Sequence, residues 1–204
     1  PPRGSRAAGG WLAAIRRETL PLSQYRNHLA AWIIAMDYLS SDSVDPAEIA
    51  ELLDLCFGPA RNRRTAALLR DGAPRIEEAC FVVLDNGRIV GSVEAHRLEW
   101  RHPTAVRQIA ILGPLVSHPD RRGERIGARL MDLCLAELDK PGLPVMLIGD
   151  APYYGRWGFS AAHTGEWQLP GPVDRARLLL RARNPGFLAG PALLCAADCA
   201  SQAA

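Results

Sequence analysis

Ile111-Leu-Gly-Pro-Leu-Val-Ser-His-Pro-Asp-Arg-Arg-Gly-Glu-Arg-Ile-Gly-Ala-Arg-Leu130 begins as an apolar run and ends on a helical pattern. The run breaks at His118-Pro119-Asp120, because proline has no N–H to donate and restricts the residue before it. An arginine- and glycine-bearing loop follows. Ile126, Leu130, Leu133 and Cys134 then recur at spacings of three and four, the period of a helix face. The stretch therefore reads strand, loop, helix. The first turn of a helix leaves backbone N–H groups unpaired and carries partial positive charge, so such a junction can hold a phosphate. Gly123 and Gly127 lack Cβ atoms and let the backbone approach an anion, while Arg121, Arg122 and Arg125 add charge. An ordinary strand–helix junction with its arginines in water has the same composition.

Upstream, Cys80 to Leu84 is a strand run and Asp85-Asn86-Gly87 is a hairpin signal, since Asn-Gly supplies the positive φ angles of a two-residue turn. Ile89 to Trp100 is the return strand. Its alternation puts Ser92, Glu94 and His96 on one face and Gly91, Val93 and Ala95 on the other. Val106 to Ser117 is the next strand and leads into the opening stretch. Further back, Asp45-Pro46 caps a helix carrying Ile49, Leu52, Leu53 and Cys56, which Gly58-Pro59 stops. A second helix starts near Ala60, with Arg61, Arg63, Arg64 and Arg70 read as a solvated face. Pro1 to Gly10 reads as disordered, Trp11 to Ala30 as partly helical, and Ala31 to Leu39 as a first strand or the end of that helix.

Downstream, Ile126 to Leu138 is the helix, ended by Lys140-Pro-Gly142. Val145 to Ile148 is a short apolar strand buried on both faces. Tyr153-Tyr-Gly-Arg-Trp-Gly-Phe159 follows, then strand candidates at Ala161–Leu169 and Arg175–Arg183. The tail from residue 186 to 204 reads as irregular.

Composition bounds the function. A chain of 204 residues can build one core, and 48% apolar with 23% charged residues is globular. The net charge of +2 lacks the basic excess of a nucleic-acid binder. Lys140 is the only lysine, so no Gly-Lys-Ser/Thr phosphate loop exists. Cys56, Cys80, Cys134, Cys195 and Cys199 form no Cys-x-x-Cys pair, which argues against a zinc site or a disulfide framework and for reduced thiols in the cytoplasm. The apolar run Leu29 to Met36 is too short to span a bilayer.

Arg122-Gly-Glu-Arg-Ile-Gly127 resembles the Arg/Gln-x-x-Gly-x-Gly/Ala pyrophosphate loop of the GNAT N-acetyltransferases, with Arg125 where the motif has its middle glycine. Tyr154-Gly-Arg-Trp-Gly-Phe159 resembles that family's late Tyr-x-x-x-Gly-Phe motif. The order of elements across residues 31–185 is similar as well. In detail the chain looks most like a bacterial acetyltransferase subgroup with Leu-Gly-Pro-Leu at the central strand and Tyr-Tyr before the Gly-Phe. The resemblance implies an α/β (α+β) fold: a mixed, mostly antiparallel central sheet flanked by helices and splayed at the central strand. Residues 1–30 would be an N-terminal extension to this domain.

The resemblance also implies acetyl-CoA as acyl donor, without a metal, and direct attack by an amine in a ternary complex. Leu115, Val116, Ser117, Arg121, Arg122, Gly123, Glu124, Arg125, Ile126, Gly127 and Ala128 would hold CoA. A backbone N–H near Leu115 or Val116 would polarise the thioester carbonyl. Tyr154 would protonate the departing thiolate, with Tyr153 as the neighbour that could displace it. Glu94, or less favourably His96, would serve as base for the amine; His118 reads as a turn residue. Expected partners are a small-molecule or peptide amine, with no nucleic acid and no membrane, and a homodimer is left open. Two competing readings remain: an acyl-CoA sensor or partner module with little turnover, and a structural α/β domain with a chance loop match.

Overall fold

The computed structural model describes residues 36–197, so the expectations for residues 1–30 and for the start of the 31–39 run lie outside the described residues. Strand β1 (Asp37–Ser40) comes first. Helix α1 (Pro46–Phe57) follows, capped by the Asp45 carboxylate, which accepts from the Ala47 N–H at 2.8 Å. Gly58 ends it at φ +79°. Instead of one helix from Ala60 there is a 3-10 stretch at Pro59–Arg63 and then a short α2 (Thr65–Arg70), because Arg64 between them adopts extended backbone angles. Strands β2 (Phe81–Asp85) and β3 (Arg88–His102) are joined through Asn86 and Gly87, at φ 50° and 76°. Strand β4 (Ala105–Ser117) returns along β3 and leads to α3 (Ile126–Asp139). Then come β5 (Val145–Ile148), a one-turn α4 (Ala151–Tyr154), β6 (Trp167–Gln168), β7 (Leu178–Arg181) and β8 (Ala192–Ala196).

Among the described residues the eight strands form one sheet in the order β1-β2-β3-β4-β5-β7, with β8 beside β3 and β6 beside β8. Every pairing is antiparallel except β4–β5 and β6–β8. The apolar face of α3, with Ile126, Leu130, Met131, Cys134, Leu135 and Leu138, packs on Val93, Ala95, Ala110, Leu112, Val145 and Leu147. Ile49, Leu52 and Leu53 of α1 pack against Val82 and Val116. A third cluster joins Leu98, Trp100, Ile109, Ile111 and Met146 to Leu178, Leu180 and Leu194. The mixed α/β fold with its open, mostly antiparallel sheet and flanking helices is the one expected.

Two irregularities of β4 shape the site. Val93 pairs with Leu115 but Ala95 pairs with Leu112, so β4 carries one extra residue at Gly113-Pro114. Such a bulge shifts the alternation of faces. Before it Leu112 packs in the cluster under α3; after it Leu115 packs there and Val116 turns toward α1. Strands β4 and β5 pair only at Ala110–Val145 and Ile111–Met146. Beyond that point they diverge and open a cleft.

The C-terminal expectation needs correction. Residues 192–196 are strand, not irregular tail, and pair with Leu98–Arg101 of β3. Leu194 and Ala192 are buried in the third cluster, which makes this strand part of the domain. The candidate at Ala161–Leu169 shrinks to the two residues of β6, since the segment before it turns on the Thr164 hydroxyl, which donates to Ala161 O and Leu178 O.

Candidate active site

The opened end of β4 and β5 forms a cleft of about 1320 Å³. Its walls include Leu112, Gly113, Pro114 and Leu115 on one side and Leu147 to Asp150 on the other. Arg122, Tyr153 and Tyr154 reach it from the loop and from α4. With no described strand paired on the β5 side of β4 beyond Ile111, that edge is free to pair with an extended ligand, as a strand would.

The loop before α3 is held by its own charges. The Arg121 guanidinium donates to Glu124 at 2.7 Å and to the Asp85 carboxylate of the β2–β3 turn. These two predicted CoA contacts thus pair with each other, and the Arg121 guanidinium holds the Glu124 carboxyl below its ordinary range. His118 accepts from the Asp120 N–H at 3.3 Å, as a turn residue does. Arg125 lies immediately before the helix in the left-handed region, at φ 61° and ψ 16°. That conformation costs a side-chain-bearing residue about 1–2 kcal/mol, the physical reason a motif would place glycine there. Arg129 N–H donates to Arg125 O at 3.0 Å, so the N–H groups of Ile126, Gly127 and Ala128 precede the first helical bond. A Cβ on Gly127 would sit 3.4 Å from the Tyr153 hydroxyl, which places that hydroxyl beside the first turn.

The two tyrosines differ. Tyr154 is wedged against Gly149, where a Cβ would fall 2.2 Å from its ring, and packs near Phe159 and Trp157. Burial, and secondarily Tyr153, pushes the Tyr154 phenol up to about 12. Tyr153 lies against Arg156, whose Cζ stands 4.2 Å from its ring centroid. Trp157 Nε1 donates to Asp132 at 2.8 Å and ties this segment to α3.

A second, smaller cleft of about 460 Å³ lies between α1, α2 and the β3 face that carries Glu94 and His96. The two clefts share Arg61, Ala67, Arg70 and Pro114, so they meet at the bulge. Glu94 and His96, placed on one strand face by the alternation of β3, both line this cleft. His96 is pushed down to about 4 by burial, then by Arg70 and Arg75, and its Nδ1 is buried without a partner. Arg70, read from sequence as part of a solvated face, lines both clefts instead. The available signal was small Ala66 and Ala67 on the preceding turn, which leave room for a long side chain to lie inward.

Among the described residues no group of three His, Cys, Asp or Glu side chains could hold a metal ion. Nor is any described helix long and apolar enough to cross a membrane.

No curated protein sequence matches the chain. Solved structures do. One is a GNAT family acetyltransferase from Brucella melitensis in complex with acetyl-CoA: 23% identical, covering 83% of this chain and 99% of that one, TM-score 0.56. Another is the GNAT family N-acetyltransferase YhbS from Escherichia coli in complex with CoA: 20% identical, covering 83% and 93%, TM-score 0.60. At these identities the likeness establishes the fold. A family model described as an acetyltransferase (GNAT) domain matches residues 39–162, which include the bulged strand, the arginine–glycine loop and both tyrosines. The chain therefore belongs to the GNAT acetyltransferase family.

Proposed function

We propose that the protein is an acetyl-CoA-dependent N-acetyltransferase that moves the acetyl group to a primary amine by direct attack in a ternary complex. The observation that carries this is the meeting of two clefts at the β4 bulge, one suited to an elongated phosphorylated thiol ester and one lined by Glu94 and His96. The relatives complexed with acetyl-CoA and CoA share this fold. The residues fit the donor: a first helical turn with free N–H groups, glycine at 127, and Arg122 lining the cleft. Arg122, Gly123 and Arg125 to Ala128 take the diphosphate, while Leu115, Val116 and Ser117 offer backbone to the pantetheine arm. Arg121 and Glu124 hold the loop in shape. The subgroup with Leu-Gly-Pro-Leu and Tyr-Tyr is our assignment on Leu112–Leu115 and Tyr153-Tyr154. The cytoplasm is our assignment for the location, on the free thiols of Cys56, Cys80 and Cys134.

In this reading Glu94 removes a proton from the acceptor ammonium, directly or through one water. The amine nitrogen forms a bond to the acetyl carbon as the carbon–sulfur bond breaks. A backbone N–H near Leu115 or Val116 stabilises the carbonyl oxygen. Tyr154, kept neutral because its phenol is pushed up to about 12, gives its proton to the sulfur and regains one from the acylated nitrogen, while Glu94 passes the proton it took to solvent. The test is a screen of amines and peptides with acetyl-CoA, followed by free-thiol release. Thiol release that depends on the amine supports the reading; CoA binding with no release for any acceptor supports the sensor module instead.

A further inference from the structure

We propose that the acceptor is a small amine that also carries a carboxylate, a free amino acid in chemical class, with Arg70 holding the carboxylate and Glu94 facing the amine. This rests on the acetyltransferase reading above and names its substrate.

The smaller cleft contains several arginines, and most are already committed. Arg61 is paired with Asp54 at 2.7 Å. Arg75 donates to Ser41 and Cys80 and stands 3.4 Å from Glu77. Arg70 makes no hydrogen bond or ion pair among the described residues, although it is half-buried at the junction of the clefts. Burial lowers its pKa, and only the field of Glu94 offsets that, with Arg61 working against it. Glu94 is likewise half-buried and has no donor among the described residues. Asp71 is exposed at the rim.

Arg70 and Glu94 feel each other's field, and Glu94 that of Arg75 as well, but neither makes a hydrogen bond among the described residues; half-buried charges left without hydrogen bonds are costly, so both groups are poised for a ligand that supplies them. A simple amine would satisfy Glu94 and leave Arg70 alone; a simple anion would do the reverse. A zwitterion satisfies both. A guanidinium matches a carboxylate with two parallel hydrogen bonds, and one such cation beside Glu94 is a poor match for a dianionic phosphate. His96 on the same face stays neutral above about pH 4 and adds no charge that would repel the ammonium. The acetylated product keeps its carboxylate and loses its positive charge, so it still pairs with Arg70 but no longer with Glu94.

The experiment compares free amino acids with the matching amines that lack the carboxylate, using acetyl-CoA and thiol release. Acceptor binding in the presence of CoA is followed in parallel by calorimetry. The expected result is a KM for the amino acid about tenfold to a hundredfold below that of the bare amine, the scale of a charged hydrogen bond. Arg70→Met should bring the two KM values together, Arg70→Lys should keep part of the preference, and both should bind CoA as the parent does. If bare amines are acetylated as well as or better than amino acids, the acceptor proposal falls and the acetyltransferase reading stands. If no acceptor turns over but amino acids bind in an Arg70-dependent way, the pocket assignment stands and the activity falls. If no amino acid binds or reacts, or if Arg70→Met weakens CoA instead, the proposal is overturned.

Discussion

Tyr153 and Tyr154 are adjacent, yet the fold gives them different surroundings. The ring of Tyr154 is packed beside Gly149 and Phe159 and its phenol stays protonated. Tyr154→Phe keeps that packing and removes only the proton, so kcat should fall by about 10²–10⁴, the range for a general acid. KM for acetyl-CoA should change little, as for an interaction made in the transition state. Tyr153→Phe should cost kcat much less; steady-state kinetics on both variants checks this, and the reverse order would swap the roles. His96 makes a separate prediction. Its pKa is lowered to about 4 in the folded chain, from an ordinary value of 6.5. Above pH 6.5 it is neutral in both states and has no effect. As pH falls through that window the unfolded chain takes up a proton that the folded chain refuses, so stability is lost. The loss amounts to about 3 kcal/mol by pH 4. Denaturant unfolding at pH 7 and pH 4 should show a smaller difference in His96→Gln than in the parent, by roughly that amount.

At the scale of elements, the junction between β4 and α3 was the most legible part of the chain. Proline at 119, glycines at 123 and 127 and the helical spacing from Ile126 are local signals, and the helix runs over Ile126–Asp139. What remained hidden was the division of labour among the arginines. Arg121 is turned to Asp85, a residue of the preceding hairpin that sequence proximity does not bring near it. Arg122 lines the cleft. Arg122→Ala should therefore weaken CoA binding by about 1.5–3 kcal/mol, the worth of a hydrogen bond to a charged group. Arg121→Ala should weaken it less, through loop order alone. Gly127→Glu should abolish binding, because it puts bulk and negative charge beside the free N–H groups and the Tyr153 hydroxyl. Calorimetric titration of CoA into the three variants reads all of these, and unchanged affinity in the glutamate variant would rule this site out.

At the scale of the whole molecule, β3 is the spine. One of its edges is shared by β2, by the segment around Arg75 and by β8. The last of these closes the sheet over Leu98 and Trp100, with Leu194 buried beside them. A chain ending at residue 190 should lose at least the burial of Leu194, about 1.5–3 kcal/mol. Its denaturant midpoint should drop while CoA affinity in the folded fraction stays near that of the parent, since β8 pairs with Leu98–Arg101 of β3 whereas the loop before α3 is tied to Asp85, next to the other end of that strand. A drop in CoA affinity that exceeds the drop in folded fraction would show instead that the tail supports the site directly.

The sequence by itself determined the elements whose signals are local. The Asp45-Pro46 cap, the Asn86-Gly87 turn, the face of α3 and the arginine- and glycine-bearing loop before it depend on residues a few positions apart, and so does the placing of Glu94 and His96 on one strand face. Tertiary structure alone decided what depends on distant partners. The bulge at Gly113-Pro114 shows only as a register shift against β3. The divergence of β4 from β5 depends on where their pairing stops. The strand at 192–196 exists because the edge of β3 at Leu98–Arg101 is free to accept it. The half-buried Arg70 owes its place to a cleft that neither α2 nor β3 contains alone. Backbone and capping preferences act over one or two turns, whereas burial and edge pairing are properties of surfaces that exist only once the chain has closed on itself.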